Sequence, residues 1–468
     1  MKSKLTEGRV SHQLIKLSIP MVGGIFAVLA FSLADTYFVA KLGTKELAAM
    51  SFTFPVIMLL SSISMGLGTG ASSIIARAIG EGDQRRVQRL TTDSLILSVL
   101  IVAFLAFLGL ITIDPLFSAL GAGAEVRPLI RDYMHIYYLG MVFLVIPLVG
   151  NSAIRACGNT LVPSLIMVLA AVANCLLDPL FIFGWGLFPA LGIQGAALAT
   201  ALSRAGTLLA SLAFLHFKEH LLLFSFSSIK GMAANWSKLL SVGLPAATTN
   251  LISPLATGLV TSLVASYGAE AVAGIGLASR LEAFALIAPL AVSASIAPFV
   301  GQNWGYQKFS RIKRALNLSF CFCLGWGALI AVVLGMAAPE IVNWFGSEPA
   351  VGAIASTYLA IVPLSYGTLG IVFTASSALN AAGKPLPALG MSFSRLLLLY
   401  VPLAYVGSQW LGILGIFIAG SLANIVVGLV AWLWCSRNGN LPPTMKLLPI
   451  SSTPINAKID KAKEGQLC

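Results

Sequence analysis

The sequence predicts an all-α polytopic membrane protein, with twelve transmembrane helices in two six-helix lobes related by a pseudo-two-fold axis along the membrane normal. Composition, the number of long apolar segments and an internal repeat support this fold class. Of the 468 residues, 57% are apolar and only 10% are charged, whereas a soluble protein carries roughly 25% charged residues. The mean hydropathy is +0.90. The composition therefore excludes a soluble globular protein.

Twelve apolar segments follow one another along the chain, each long enough for a bilayer-spanning helix of about 20 residues. They cover residues 13–40, 47–79, 90–113, 129–150, 160–185, 191–217, 236–266, 271–303, 311–336, 351–380, 386–406 and 411–435. The first segment is too long for the apolar part of a cleaved signal peptide. We therefore predict that it is an uncleaved transmembrane helix.

The second half of the chain repeats the first at an offset of 225 residues. The matching pairs include Pro20/Pro245, Gly43/Gly268, Gly80/Gly305, Arg86/Arg311, Tyr133/Tyr358 and Gly158/Gly383. Because each half has an even number of segments, both halves enter the membrane from the same side and form parallel repeats. This predicts an N-lobe at 1–217, a cytoplasmic linker at 218–235, a C-lobe at 236–435 and a polar cytoplasmic tail at 436–468. Two lobes around a central cleft are typical of a transporter.

The net charge of +12 comes from loops rather than from a nucleic-acid-binding surface. Five alternate connections between segments hold thirteen basic residues, whereas the six opposite connections hold four. Loops on the cytoplasmic side of a membrane protein carry such an excess. The distribution predicts that both termini are cytoplasmic, that the lipid bilayer is a partner and that nucleic acid is not.

Three acidic residues lie within predicted segments: Asp35, Asp178 and Glu282. A charged side chain at bilayer depth costs about 3 kcal/mol or more, so it normally faces a cavity or a partner. Asp35 and Asp178 lie about 8 and 10 Å inside the outer ends of their helices, at 1.5 Å per residue. We expect the two aspartates to lie together in the N-lobe, where a carboxylate can bind a proton from one side of the membrane and release it to the other.

Neighbouring polar side chains extend this candidate cation site. Asn174 lies one helical turn from Asp178, and Thr200 lies in the sixth segment. With Asp35 they can share a proton network or supply oxygen ligands to a sodium ion. Purely structural roles are the alternatives for each acid, and for Glu282 a local polar cluster with Arg280 is the stronger one.

The first helix contains a second candidate functional feature, a bend near its cytoplasmic end. Pro20, followed by Gly23 and Gly24, predicts a bend, because proline removes a main-chain hydrogen bond and kinks a helix. A bend between the cytoplasmic end of the helix and Asp35 would let protonation change the shape of the helix. A static kink is the alternative.

Several motifs resemble those of the multidrug and toxic compound extrusion (MATE) transporters, in particular the prokaryotic branch named for DNA-damage-inducible protein F. They are IPM at 19–21, ADTYFVAKLG at 34–43, IARAIGEGD at 75–83, IRACGNT at 154–160, NCLLDP at 174–179, ASRLEAF at 278–284, PFVGQNWG at 298–305 and ALNAAGKP at 378–385. In that branch the residues matching Asp35, Asn174 and Asp178 form the cation site.

The resemblance implies a secondary active multidrug efflux antiporter of the prokaryotic inner membrane, a monomer that exports organic, often cationic, drug-like compounds. The coupling ion would be H⁺ or Na⁺, with no other cofactor and no enzyme activity. Sodium-driven relatives of the NorM type carry acids in helices 7 and 10, whereas Ser253 occupies the expected position here. This difference favours an N-lobe mechanism with protons.

Candidate cavity residues are Phe31, Tyr138, Asn151, Asn250, Ser253 and Glu282. A lipid-linked precursor flippase is the alternative function. It would require a more basic cavity, and only Arg204, Arg280 and Arg395 lie within predicted spans. A membrane enzyme is disfavoured because the four histidines do not cluster along the chain. The chain also lacks a Walker phosphate-binding loop.

Overall fold

The computed structural model describes residues 5–184, 189–223, 229–344 and 348–437. Within these ranges, eleven helical spans are long and apolar enough to cross a membrane, and a bent helix pair makes the twelfth. The helices are α1 (Val10–Ala40), α2 (Thr44–Glu81), α3 (Gln84–Ala119), α4 (Arg127–Ala156), α5 (Leu161–Ile182), α6 (Ile193–Ala213), α7 (Ile229–Ala265), α8 (Ala269–Ala285), α9 (Ile287–Gly305), α10 (Phe309–Trp344), α11 (Pro349–Ile361), α12 (Tyr366–Ala381), α13 (Pro385–Phe393), α14 (Val401–Leu411) and α15 (Ile413–Arg437).

The twelve spans of the sequence prediction are confirmed, in two lobes that contain α1–α6 and α7–α15. Helix α7 begins at Ile229, so part of the predicted linker 218–235 is helical. Residues 224–228 of that linker and residues 438–468 of the predicted tail lie outside the described residues. Helix α1 runs as one helix through Pro20, so a bend there stays a prediction.

The eighth span is broken by a 46° bend between α8 and α9. Pro289 has no N–H group, so it cannot donate the helical hydrogen bond to the carbonyl of Ala285, four residues earlier. The indole Nε1 of Trp326 on α10 donates to that carbonyl instead, at 2.9 Å. The bend is therefore stabilised by a side chain from a neighbouring helix.

Two further spans of the C-lobe also depart from α-helical geometry. The tenth span contains a 3₁₀ segment at Val362–Ser365, between α11 and α12. The eleventh contains a π-helical segment at Ser394–Tyr400, between α13 and α14. Pro363 lies within the first segment and Pro402 follows the second. Neither break was predicted from the sequence.

The two lobes meet at a contact between Gly80 at the end of α2 and Gly305 at the end of α9. A Cβ atom on Gly80 would lie 2.2 Å from the carbonyl oxygen of Gln302, and one on Gly305 would lie 2.2 Å from that of Arg77. The 225-residue repeat pairs Gly80 with Gly305 and Arg77 with Gln302. The contact therefore maps onto itself under a two-fold rotation, as expected for two parallel repeats.

Hydrogen bonds across the lobes surround this contact. The Ser73 hydroxyl of α2 donates to the carbonyl of Asn380, near the end of α12, at 2.6 Å. Reciprocally, the Gln302 amide of α9 donates to the carbonyl of Ala156, at the end of α4, at 2.7 Å. Each lobe therefore supplies a donor to a carbonyl at the end of a helix in the other lobe.

The chain preceding α1 also bridges the lobes. We call residues 5–9 the N-terminal strap. The backbone N–H of Leu5 donates to Gln302 Oε1 at 3.2 Å. The Arg311 guanidinium of α10 donates to the carbonyls of Leu5, Glu7 and Gly8 at 3.2, 3.1 and 2.8 Å. These contacts close the space between the lobes at the end that the charge pattern predicts to be cytoplasmic.

Gly80→Ala should separate the lobes at this end, because the added methyl group has no space against the Gln302 carbonyl. Overpacking of this kind costs about 1–3 kcal/mol. The expected result is a longer distance between spin labels at the exposed positions Arg85 and Lys313. Gly325→Ala is the matched control, since a Cβ atom there meets no atom within 4 Å. An unchanged distance distribution in Gly80→Ala would contradict the role of the glycine contact.

Candidate functional site

The four predicted residues of the cation site lie on three helices of the N-lobe. Asp35 is on α1, Asn174 and Asp178 are on α5, and Thr200 is on α6. All four are buried; Asp178 is 0% exposed and Asp35 is 9% exposed. Asp35 and Asp178 lie near the ends of α1 and α5, close enough to interact electrostatically. The structure therefore brings together the two aspartates that the sequence analysis placed in one site.

The Asn174 side chain links Asp178 to Thr200. With its nitrogen directed toward Asp178, the amide donates to Asp178 Oδ2 at 2.7 Å, and its oxygen accepts from the Thr200 hydroxyl at 3.3 Å. We assign this orientation because it pairs each donor with an acceptor, whereas the opposite one brings two oxygens together. Within the described part of the chain, Asp35 makes no such hydrogen bond. The Asp35 carboxylate can therefore take up a proton or an ion without breaking a hydrogen bond, whereas the Asp178 carboxylate cannot.

Three further residues surround the aspartates, and the sequence analysis did not assign them to the site. Arg204 of α6 interacts electrostatically with Asp35, and its guanidinium lies 5.8 Å from the centre of the Tyr137 ring. Tyr133 of α4 lies close to both aspartates and to Arg204, and it stacks on Tyr137. The match of Tyr133 to Tyr358 in the internal repeat was the one sequence observation that could have pointed to Tyr133 as a site residue.

The charges of this cluster determine what it can bind. When Asp35 and Asp178 are ionised, Arg204 compensates one of the two negative charges. One negative charge then remains in a buried site, where an uncompensated charge is costly. A single proton or one monovalent cation would neutralise it. Over the described residues, no group of three or more His, Cys, Asp or Glu side chains could hold a metal ion.

The predicted cavity residues differ in how far they are exposed. Tyr138 is 2% exposed and packs against Gly109 of α3 in the N-lobe core, so its role as a cavity residue stays a prediction. Asn151 is buried too, with its Oδ1 atom unpaired. Phe31 of α1 and Asn250 of α7 are half-buried, and Ser253 is exposed.

Glu282 does not belong to the N-lobe cluster. It lies on α8, three residues before the bend of the eighth span, and its carboxylate accepts a hydrogen bond from the Tyr358 hydroxyl of α11. Arg280, two residues before Glu282 on α8, is exposed. The hydrogen-bond partner of Glu282 is therefore Tyr358 and not Arg280, with which the sequence analysis grouped it.

Comparison with known proteins agrees with the internal repeat. The MatE family model matches the chain twice, at residues 20–180 and 245–406. The two matches begin 225 residues apart, as the internal repeat does.

Two relatives illustrate the range of similarity. The chain is 41% identical over 433 residues to the FAD transporter of Shewanella oneidensis, covering 92% of this chain and 96% of the relative. It is 25% identical over 427 residues to the multidrug export protein MepA of Staphylococcus haemolyticus, covering 91% and 93% of the two chains.

Among solved structures, the fold is similar to that of the Vibrio cholerae MATE transporter VcmN in the bent form. The TM-score is 0.86 at 33% sequence identity, and the superposition covers 92% of this chain and 98% of the other. The two family matches together span more than half of the sequence. The chain belongs to the MATE family of membrane transporters.

Proposed function

We propose that this transporter is a secondary active exporter, in which entry of a cation at the N-lobe site drives export of an organic substrate. The observation that carries the proposal is the cluster of the buried acids Asp35 and Asp178 with Arg204, which would hold one uncompensated negative charge with both acids ionised. The cluster lies toward the ends of α1 and α5 opposite to the closed contact between the lobes. A cation arriving from outside would reach it while the other end is shut, as alternating access requires.

The hydrogen bonds at the site favour a proton over sodium as the coupling ion. A sodium ion needs several oxygen ligands, as hard cations generally do. The Asn174 amide presents its nitrogen to Asp178, and its oxygen is occupied by Thr200. The neighbouring Arg204 would also repel a metal cation. A proton on Asp35 needs no further ligands and neutralises the same charge.

Two substrate classes are candidates. Drug-like organic cations are suggested by multidrug export proteins such as MepA, at 25% identity. A flavin dinucleotide is suggested by the FAD transporter of Shewanella oneidensis, at 41% identity over nearly the whole chain. The higher identity favours the dinucleotide as the physiological substrate.

Asp35→Asn should abolish cation-driven export while the protein still folds, because the amide has nearly the same shape but cannot take up a proton. We expect at least a tenfold loss of efflux from proteoliposomes. Asp114→Asn is the matched control, an exposed aspartate that pairs with Arg131 on the surface. If Asp35→Asn exports substrate at the wild-type rate, the N-lobe assignment is wrong.

Asn174→Ala should weaken coupling, because Asp178 loses its hydrogen-bond donor and Thr200 its acceptor. A hydrogen bond to a charged group contributes about 1.5–3 kcal/mol, so we expect roughly a tenfold or larger reduction in proton-driven efflux. Thr200→Val removes only the second contact and should have the smaller effect. Equal, full activity of both variants at normal expression would leave the pair with a packing role only.

One assay can identify both the substrate and the coupling ion. Proteoliposomes are loaded with FAD or with the cationic dye ethidium, and a proton or a sodium gradient is imposed separately. The proposal expects proton-driven efflux of FAD. Efflux of ethidium alone would assign the protein to drug export, and efflux with sodium alone would overturn proton coupling.

A further inference from the structure

A cavity of about 470 Å³ lies at the closed end of the molecule, apart from the aspartate site. One wall consists of residues 8–11, where the N-terminal strap leads into α1 of the N-lobe. The other wall consists of residues in the first two turns of α10 in the C-lobe. Cavities of this size accommodate small ligands, and the transport cycle proposed above assigns no role to this one.

Three arginines line the cavity. Arg9 and Arg314 are exposed, and within the described part of the chain neither forms a salt bridge. Arg311 donates to carbonyls of the strap, which satisfy its N–H groups but carry no net charge. The carboxylate of Glu7 interacts electrostatically with Arg311. Three positive charges against one negative charge leave the cavity with a positive excess of two.

Two helix starts add to this positive potential. The first N–H groups of a helix have no carbonyl partner in that helix, and together they act as roughly half a positive charge. Arg9, the residue before α1, makes no side-chain hydrogen bond to these groups, and the first turns of α1 and α10 contain no acidic residue. The helix starts therefore reinforce the full charges of the arginines, which make the stronger contribution.

The N-lobe shows how the equivalent helix start is neutralised. Helix α3 begins at Gln84 and α10 begins at Phe309, 225 residues later. At the start of α3, the Asp83 carboxylate accepts a hydrogen bond from the backbone N–H of Arg86 at 3.0 Å. Glu81 forms a salt bridge with the guanidinium of the same arginine. Two acids of the chain itself therefore offset the positive charge at this helix start.

In the C-lobe both acids are replaced, although the two arginines of the repeat, Arg311 and Arg314, remain. Lys308 stands where the N-lobe has the capping aspartate, and Tyr306 stands where it has the glutamate. The Lys308 ammonium extends to the strap and donates to the Thr6 carbonyl at 3.0 Å. The start of α10 therefore lacks the anionic partners that the chain supplies at the start of α3.

We propose that this cavity is a binding site for a phosphate group, presented by the headgroup of an anionic phospholipid or by a soluble phosphate compound. A phosphate monoester carries a charge of about −1.5 to −2 at neutral pH, which matches the positive excess. Guanidinium groups donate paired hydrogen bonds to phosphate oxygens, and the N–H groups of helix starts bind phosphate as well. The inference does not depend on the proposed export activity.

A phosphate group bound here joins the two lobes at their closed end. It contacts Arg9 at the start of α1 and Arg314 on α10, beside the hydrogen bonds between Arg311 and the strap. Opening of this end would move the two walls of the cavity apart and weaken the site. Binding therefore stabilises the closed arrangement.

Isothermal titration of inorganic phosphate into the full chain, in a neutral detergent at constant ionic strength, tests the soluble form of the ligand. Arg314→Gln should weaken binding roughly tenfold or more, because it removes a full charge and a pair of charge-assisted hydrogen bonds. Arg89→Gln is the matched control, since it removes the equivalent exposed arginine of the N-lobe and should leave the affinity unchanged. Equal weakening in both variants would indicate general charge attraction and overturn the site.

Native mass spectrometry tests the lipid form. Protein extracted from vesicles of phosphatidylglycerol and phosphatidylcholine should retain phosphatidylglycerol, and the double variant Arg9→Gln, Arg314→Gln should retain less of it than the Arg89→Gln control. Binding of inorganic phosphate alone would identify a soluble ligand, and retention of phosphatidylglycerol alone would identify the lipid. Wild-type protein that binds neither would overturn the proposal.

A second variant leaves the lining arginines in place. Lys308→Asp restores the acid that the equivalent helix of the N-lobe has, so it should abolish binding of whichever ligand the wild type binds. The midpoint of thermal unfolding shows whether this variant is folded. An unchanged affinity in folded Lys308→Asp would count against the proposal, because the missing acid would then have no bearing on the cavity.

Discussion

The close approach of α2 and α9 at Gly80 and Gly305 is the constraint on which the closed state depends. A side chain at either position would meet a main-chain carbonyl at 2.2 Å, so the ends of the two helices can cross only through glycine. The same principle extends along α2, where a Cβ on Gly70 would lie 2.6 Å from the carbonyl of Leu239 on α7. Small residues let membrane helices pack backbone to backbone. This surface can therefore close with the backbones of the two lobes in direct contact.

The arginines at the two ends of the helices have partners of different kinds. Near the glycine contact, the arginines bind main-chain carbonyls, as Arg311 does with the N-terminal strap. At the opposite end, Arg204 lies near Asp35, and Tyr133 lies near both aspartates. The closed end is thus satisfied by hydrogen bonds that need no cation, whereas the other end, with both acids ionised, has one negative charge that Arg204 does not compensate and that a bound cation would neutralise.

The twelve spans and the pairing of Asp35 with Asp178 could be predicted, because hydropathy and distance from a helix end are properties of the sequence itself. The breaks in the C-lobe could not. Pro55, Pro115 and Pro147 lie inside unbroken helices, whereas the bend before Pro289 also needs Trp326 from another helix. The place of Arg204 in the site and the burial of Tyr138 could not be predicted for a related reason: hydropathy does not show whether a helix face turns toward the site or toward the core of its lobe.

The N-terminal strap has a practical consequence for handling the protein. Leu5 is 5% exposed, and its side chain lies where a Cβ atom on Gly158 would meet it, so the strap lies in the seam between the lobes. A spin label or fluorophore attached to a strap residue would therefore compete with the contacts that close the seam. Probes that report on the closed contact are best attached outside residues 5–9.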